Sequence, residues 1–266
     1  IGDGTLKSDK AVLSVWCGQA AAVANGSPVR NQSGPMAVMQ TALQYARALP
    51  HRADFKGWVA VPGRDEHRLA LSHVKTLAFA LGMAPGRKTI TPSIEEASSD
   101  FYRGFLRGMF DTDGSLQGSQ RKGVSVRLAQ SDLERLQAVQ RMLLRFGIVA
   151  VLYSRRPAQM RLLPDQRGGS QAYATAEQHE LVISEESLFR FAERVGFSDS
   201  EKALRLRTLC SAYRRSMNRE RFVARVAAVT EAGTEDVYDV QVPGVQAFDA
   251  NGLYVHNCGE QPLAPN

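Results

Sequence analysis

The stretch FLRGMFDTDGSL, residues 105–116, places two aspartates and a glycine directly after an apolar run. Residues 98–100 supply candidate N-caps for a helix. The apolar residues that follow recur at helical spacing, at Phe101, Phe105, Leu106, Met109 and Phe110. This pattern predicts a helix that ends at Asp111 and Asp113. Because a helix C-terminus is the negative end of the helix dipole, we expect a positive group beside these carboxylates.

Two glycines lie on one face of this predicted helix. Gly104 and Gly108 are four residues apart, and each glycine destabilises an exposed helix by about 1 kcal/mol relative to alanine. Their spacing therefore predicts that a second helix backbone packs closely against this face.

The acidic turn occurs a second time at the start of the chain. IGDGTL, residues 1–6, aligns with DTDGSL, residues 111–116, and this alignment pairs Asp3 with Asp113. If the two copies pack helix against helix, these carboxylates converge and repel each other unless a cation lies between them. Oxygen ligands suit Mg²⁺, and a metal held by two carboxylates can promote phosphodiester hydrolysis. The repeat therefore predicts a magnesium site made by Asp3 and Asp113.

The similarity between the two copies extends beyond the turns. VLSVW (12–16) and GVSVRL (123–128) both alternate apolar with other residues, which predicts a half-buried strand after each turn. A later apolar helical segment in each copy closes with a glycine, Gly82 or Gly196, the usual C-terminal stop. Each glycine is followed six residues later by a lysine, at Lys88 and Lys202.

Other interpretations of the acidic turn are available. A single D-x-D-G is more often a turn in which the side chains bond their own backbone. The position of Gly114, directly after Asp113, argues against an EF-hand, whose glycine is the sixth residue of the loop and which requires further acidic ligands. MFDTDGSL also resembles the nucleophile motif of haloacid-dehalogenase-like phosphatases, in which the acids follow a strand. The helical spacing and the duplication favour a nuclease.

Composition is compatible with a nucleic-acid partner. The chain has 266 residues, 44% of them hydrophobic, a net charge of +6 and a pI of about 9.4. These values predict a globular protein with one large or two unequal domains. The cysteines are odd in number and lack C-x-x-C spacing, so the sequence predicts neither a disulfide framework nor a zinc site. This cysteine usage favours a cytoplasmic location. The sequence predicts neither a membrane helix nor a signal segment.

Three stretches of the sequence resemble motifs of one known family. LRGMFDTDG (106–114) resembles the second copy of the LAGLIDADG motif of homing endonucleases, and IGDG resembles the end of the first copy. GRKTITPSI (86–94) resembles the lysine-bearing block before the second motif. The resemblance covers residues 1–215. It implies an α+β, pseudo-two-fold αββαββα fold whose curved sheets straddle double-stranded DNA.

The resemblance also implies roles for individual residues. Asp3 and Asp113 would be metal ligands and Lys88 the lysine of the catalytic centre, while Lys202 is its counterpart by internal symmetry alone. Along VSVRLAQ (124–130), alternation places Val124, Val126 and Leu128 toward the core. Arg127 then lies on the other face, where it can meet a phosphate or a guanine edge.

Residues after about 220 form a different, β-rich part. The runs RFVARVAAV, DVYDVQV and LYVHN predict short strands, and Asn251-Gly252 is the dipeptide preferred in two-residue hairpins.

By contrast, the Gly, Ser and Gln content of residues 164–178 predicts an exposed loop between strands.

VYDVQVPGVQAFDANGLYVHNC, residues 237–258, resembles the last two splicing blocks of inteins. In that chemistry Asn257 closes its side-chain amide on its own carbonyl, and His256 acts as general acid. Cys258 offers a thiolate to receive the upstream ester. Asp239 stands where the family carries an assisting acid or thiol, whereas Gln246 stands where many members have histidine.

The last nine residues, CGEQPLAPN, resemble the active-site region of a ribonucleotide reductase. The sequence is therefore interpreted as a LAGLIDADG intein of a reductase, with an endonuclease at 1–219, part of a Hint (splicing) domain at 220–257 and host sequence at 258–266. Because the chain starts inside the first motif, we expect a truncated piece that cannot splice alone. A decayed intein that binds DNA without cutting it is the alternative.

Overall fold

The computed structural model describes two compact units, residues 1–218 and 219–266. The described residues are 4–17, 33–121, 123–164, 170–214, 226, 228–234, 236, 240, 244, 247–250 and 253–256. Among them, no helix is long and apolar enough to cross a membrane.

The first half of unit 1 is a four-stranded antiparallel sheet with two helices. Its strands are Thr5–Leu6 (β1), Ala11–Trp16 (β2), Trp58–Ala60 (β3) and Glu66–Leu71 (β4). Its helices are Ser33–Ala48 (α1) and Ser72–Ala80 (α2). The strand order is β1-β2-β4-β3.

Two helices lead from the first half into the second, Pro92–Glu95 (α3) and Ser99–Asp113 (α4). The predicted helix is confirmed, and it begins as expected, because the Ser98 hydroxyl accepts a hydrogen bond from the backbone N–H of Phe101 at 3.2 Å. It continues through both aspartates and ends at Asp113, with Gly114 as its C-cap.

The second half repeats the arrangement of the first. Its sheet strands are Gly114–Ser119 (β5), Gly123–Gln130 (β6), Val151–Arg156 (β7) and Gln178–Ser184 (β10), in the order β5-β6-β10-β7. Its helices are Leu133–Leu144 (α5), Glu186–Arg194 (α6) and Ser200–Ser211 (α7). A separate ribbon consists of Gln159–Pro164 (β8) and Ser170–Thr175 (β9).

The internal repeat predicted from the sequence is confirmed. Both sheets follow the order first, second, fourth, third, and a helix connects the second strand to the third in each. Both glycines predicted to stop a helix have the left-handed backbone that favours glycine, with φ of 79° at Gly82 and 63° at Gly196.

The main hydrophobic core belongs to the second half. The apolar side of α4 contributes Leu106, Met109 and Phe110, all at most 2% exposed, and the Phe110 ring meets the Phe191 ring edge to face at a centroid distance of 4.9 Å. Against the first sheet, only Ala46, Leu69 and Leu71 form a buried cluster among the described residues. The amphipathic α4 therefore anchors the second sheet.

The glycine face of α4 is open within the described part of the chain. A Cβ atom built on Gly104 or Gly108 would meet no heavy atom within 4 Å. The close packing of a second helix predicted from this pair is therefore not seen among the described residues.

The segment predicted as a loop, residues 164–178, is partly strand. Ser170–Thr175 pairs with Gln159–Pro164 in register, from Pro164 opposite Ser170 to Gln159 opposite Thr175. Gly and Gln content misled the prediction, because strand formation here depends on cross-strand pairing more than on the propensity of the segment itself. Residues 165–169 lie outside the described residues.

In unit 2 the predicted hairpin is confirmed. Ala247–Ala250 (β11) pairs antiparallel with Leu253–His256 (β12), and Ala250 lies opposite Leu253, which leaves two residues for the turn. The strands predicted from RFVARVAAV and DVYDVQV fall largely outside the described residues.

The open face of α4 gives a test by substitution. We expect Gly108→Ala to raise the free energy of unfolding by about 1 kcal/mol, because alanine is the better helix former and the site has room. The measurement is urea unfolding.

Gly114→Ala is the contrasting control. Its Cβ would clash with the carbonyl oxygen of Phe110, so the free energy of unfolding should fall. If Gly108→Ala also lowered stability, another backbone would have to pack against the glycine face.

Candidate active site and nucleic-acid interface

The site is built at the end of α4, where the two aspartates have different environments. Asp113 is exposed, and one of its carboxylate oxygens accepts a hydrogen bond from the side-chain amide of Gln130 at 2.8 Å. Gln130 is the last residue of β6, and its amide oxygen accepts a hydrogen bond from Arg135 at 3.4 Å, which helps to orient the amide. Asp113 therefore offers a held but solvent-accessible carboxylate.

Asp111 is instead part of the interior, with 8% of its surface exposed. Its carboxylate accepts hydrogen bonds from the backbone N–H groups of Ser198, at 2.9 and 3.2 Å, and Asp199, at 3.1 Å. Burial raises the pKa of Asp111, and these hydrogen bonds oppose that shift. Asp111 thus joins the end of α4 to the start of α7.

The positive group expected at this helix end is supplied by the chain itself. The ammonium group of Lys202 donates to the carbonyl oxygens of Asp111 at 2.6 Å, Gly114 at 2.8 Å and Phe110 at 3.3 Å. The Asp111 carbonyl is one of those left without an intrahelical partner at a C-terminus, whereas the Phe110 carbonyl also accepts from the backbone N–H of Gly114, and Gly114 itself begins β5. Lys202 therefore caps α4, and its catalytic role stays a prediction.

Lys88 occupies the matching place in the first half. Its ammonium group donates to the carbonyl oxygen of Gly4, as that of Lys202 does to Gly114. Each lysine thus bonds the glycine that follows an acidic position of the repeat, although Asp3 itself lies outside the described residues. The six-residue spacing that singled out these lysines has a common structural basis.

A polar chain connects the two halves through Arg135. Its guanidinium group donates to the side-chain oxygen of Gln130 at 3.4 Å and to the backbone oxygen of Lys88 at 2.9 Å. It also lies 3.4 Å from the carboxylate of Asp132. This series of hydrogen bonds therefore runs from Asp113 through Gln130 and Arg135 to Lys88, which bonds Gly4.

Sequence reasoning missed Gln130 and Arg135. Alternation predicted the strand that Gln130 ends, but only the pairing of β5 with β6 brings the end of that strand beside the acidic turn. Arg135 had no comparable signal, because its partners are brought together only by folding.

Asp113 is suited to a hard cation, since it is an exposed carboxylate at the end of a helix. Across the described ranges, no group of three or more His, Cys, Asp or Glu side chains could hold a metal. Asp3 lies outside the described residues, so its role as the second carboxylate of a metal site at this turn stays a prediction.

The haloacid-dehalogenase-like alternative does not fit this geometry. In that family the acids follow a strand, whereas both aspartates here belong to α4. In addition, Asp111 is buried with both carboxylate oxygens bonded to backbone N–H groups, so it is not presented to a substrate.

The second sheet places Arg127 as predicted. Val124, Val126 and Leu128 are at most 2% exposed, and Arg127 lies on the opposite face. There Arg127 donates to the hydroxyl of Ser125 at 2.9 Å and to the carboxylate of Glu180 at 3.1 Å. Arg155 donates to the same carboxylate at 2.8 Å.

The first sheet also has basic residues on its open face. Lys10 and Arg68 line two adjoining depressions of about 540 and 430 Å³. The carboxylate of Glu66 pairs with Arg68 at 2.6 Å and with Arg64 at 3.7 Å, and the hydrogen bond from Arg68 lowers the pKa of Glu66. Both sheets therefore combine arginines with a single acid.

The splicing residues are only partly described. His256 is the last residue of β12, opposite Ala247. Asn257, Cys258, Asp239 and Gln246 lie outside the described residues.

Part of unit 1 is similar to a known protein family. Residues 100–196 match the family described as LAGLIDADG-like domain. This part of the chain, which contains nearly all of α4 and the four strands of the second sheet, is therefore similar to that family.

Two relatives of this chain are enzymes of different kinds, a reductase and a polymerase. The ribonucleoside-diphosphate reductase NrdEB subunit alpha of Bacillus subtilis (strain 168) is 30% identical over 185 residues, which cover 67% of this chain and 17% of that protein. A DNA polymerase of Thermococcus litoralis is 30% identical over 198 residues, covering 73% of this chain and 11% of that protein. The chain thus spans less than a fifth of either relative.

Solved structures of the homing endonuclease I-DmoI are among the structural matches. Mesophilic variants of that protein give a TM-score of 0.41 at 14% identity, over 78% of this chain and 92% of that chain. A single-substitution variant of I-DmoI in complex with its target DNA, in the presence of 2 mM Mg, gives 0.37 at 14% identity, over 72% and 85%.

The capping role of Lys202 can be separated from a catalytic role. We expect Lys202→Met to lower the free energy of unfolding by about 2 kcal/mol, because it leaves the carbonyls at the end of α4 without their charged donor. Chemical denaturation followed by circular dichroism measures this loss.

Arg205→Met is the matched control, since Arg205 is an exposed cation on the same helix. It should change stability by no more than about 0.5 kcal/mol. An unfolding curve of Lys202→Met that coincides with that of the parent chain would contradict the capping role.

Proposed function

We propose that residues 1–219 form a site-specific endonuclease that hydrolyses phosphodiester bonds in double-stranded DNA with the help of a divalent cation. The observation that carries this proposal is the exposed carboxylate of Asp113 at the end of α4, held by Gln130 and linked through Arg135 to the equivalent turn of the first half. The match of residues 100–196 to the LAGLIDADG-like family supports it.

The cation would be held by Asp113 and Asp3, with Mg²⁺ as the ion that suits two carboxylates. When bound, it would activate water and stabilise the negative charge that develops on the phosphate. The chain's own contribution is to orient Asp113 through the hydrogen bond from Gln130, and to hold Asp111 in hydrogen bonds to backbone N–H groups inside the fold. Lys88 is proposed as the lysine of the catalytic centre, with Lys202 as its symmetric counterpart.

The sheets would supply the affinity for DNA. Arginines and lysines on their open faces can contact phosphates, which makes binding depend on salt concentration. Base contacts, for which Arg127 is a candidate, would then select the sequence. The partner proposed on these grounds is duplex DNA.

We also propose that the chain belongs to an intein of a ribonucleotide reductase precursor. A reductase and a polymerase that each contain a segment similar to this chain are what an inserted element would produce. In unit 2, β12 ends at His256, directly before the asparagine proposed to cyclise. His256 would protonate the departing amine, Asp239 would assist, and Cys258 would receive the ester.

Asp113→Asn tests the endonuclease. We expect loss of cleavage with duplex affinity within about threefold of the parent chain, because the substitution removes a metal ligand but no phosphate contact. The substrates are duplexes enriched by binding from a random pool. They are incubated with Mg²⁺ or with a chelator and separated on a gel.

Asp100→Asn is the control for this test, because Asp100 is an exposed aspartate at the other end of the same helix. It should cut like the parent chain. Normal cutting by Asp113→Asn would exclude the proposed metal site, and binding without cutting by the parent chain would favour a decayed intein.

Asn257→Ala tests the splicing chemistry. In the parent chain, cyclisation of Asn257 would release the nine-residue peptide CGEQPLAPN, whereas alanine has no amide to cyclise and should retain it. Mass spectrometry of the incubated chain measures the released peptide. Equal release from both chains would contradict the role of Asn257.

A further inference from the structure

We propose that Glu180 is a specificity-determining residue: it holds Arg127 and Arg155 in one arrangement and limits the attraction of the second sheet for arbitrary DNA. This inference rests on the proposed DNA-binding function. The proposed function says which residues contact DNA, and this inference adds how the second sheet discriminates between DNA sequences.

The geometry centres on one oxygen atom. Oε2 of Glu180 accepts from a terminal nitrogen of Arg127 at 3.1 Å and from Nε of Arg155 at 2.8 Å. Glu180 lies on β10, between β6, which carries Arg127, and β7, which carries Arg155. Its side chain is 13% exposed, so water screens the charges only in part.

Further contacts orient both guanidinium groups. Arg127 also donates through Nε to Ser125 at 2.9 Å, and the guanidinium of Arg155 lies 4.5 Å from the ring centroid of Tyr153. Between described residues, no hydrogen bond is formed by the terminal nitrogens of Arg155. Glu180 therefore fixes the direction of Arg155 without using the two nitrogens that recognise a guanine edge.

The charge of Glu180 has a second effect. Two arginines and one glutamate carry a net charge of +1 rather than +2, which weakens attraction to phosphates wherever they lie. The oriented donors remain available to a base with matching acceptors. A device that lowers affinity for wrong partners while keeping contacts to the right one increases discrimination.

The first sheet is built differently. Arg68 uses both Nε and a terminal nitrogen on Glu66, at 2.6 and 3.1 Å, in a two-pronged pair. That pair leaves Arg68 fewer free donors than Glu180 leaves to Arg155. We therefore place this discrimination in the second sheet.

The test compares Glu180→Gln with Glu177→Gln in the full 266-residue chain. Both remove one negative charge, but the carboxylate of Glu177 is half exposed and lies 3.9 Å from a ring nitrogen of His179, not against an arginine. The probes are one duplex enriched from a random pool by the parent chain and one random-sequence duplex of equal length. Dissociation constants are measured over a series of salt concentrations.

We expect Glu180→Gln to bind the random duplex about tenfold more tightly and to reduce the ratio of specific to random affinity about tenfold, with a steeper salt dependence by about one phosphate contact. Glu177→Gln should change either affinity by less than about twofold. Glu180→Asp, which keeps the charge, should restore the parent's salt dependence. Coincident thermal unfolding curves establish that the variants are folded.

Two results would overturn the inference. If Glu180→Gln keeps the parent's affinity ratio and salt dependence, or changes them only as Glu177→Gln does, Glu180 has no role in discrimination. If the parent chain enriches no duplex at all, the proposed endonuclease function fails, and this inference fails with it.

Discussion

The ammonium group of Lys202 at the C-terminus of α4 is the interaction on which the candidate site depends. An amphipathic helix that ends in two carboxylates would be unfavourable at its negative pole, and three carbonyl contacts from one cation offset this. A hydrogen bond to a charged group stabilises a fold by about 1.5–3 kcal/mol. The backbone N–H groups before α7 bind Asp111 at the same place, so α4 and α7 hold each other.

This arrangement divides the work between the two aspartates. Asp111 is buried and bonded to backbone N–H groups, where burial raises the pKa of its carboxyl group and the hydrogen bonds oppose that shift. Asp113 is left outside, with its orientation set by an amide from the sheet. Arg135 then ties that amide to the loop of Lys88, so the two acidic turns of the repeat are connected through the protein and not only by symmetry.

The net charge of the chain says little about how it would meet DNA. On the two sheets, Arg68, Arg127 and Arg155 are each paired with a carboxylate of low exposure. Such pairs orient guanidinium groups and reduce their attraction to distant phosphates. The arrangement of charge, more than its total of +6, would therefore determine selectivity.

The sequence by itself determined the local features: the span of α4, the alternation along β6, the glycine stops, the hairpin of unit 2 and the internal repeat. These depend on periodicity and turn chemistry within a few residues. Only the tertiary structure decided that Asp111 is structural, that Lys202 caps a helix, and that Gln130, Arg135 and Glu180 are neighbours of the predicted site. The partners of Asp111 and Lys202 are 87 to 92 positions away, and no local pattern records contacts that sheet and helix packing create.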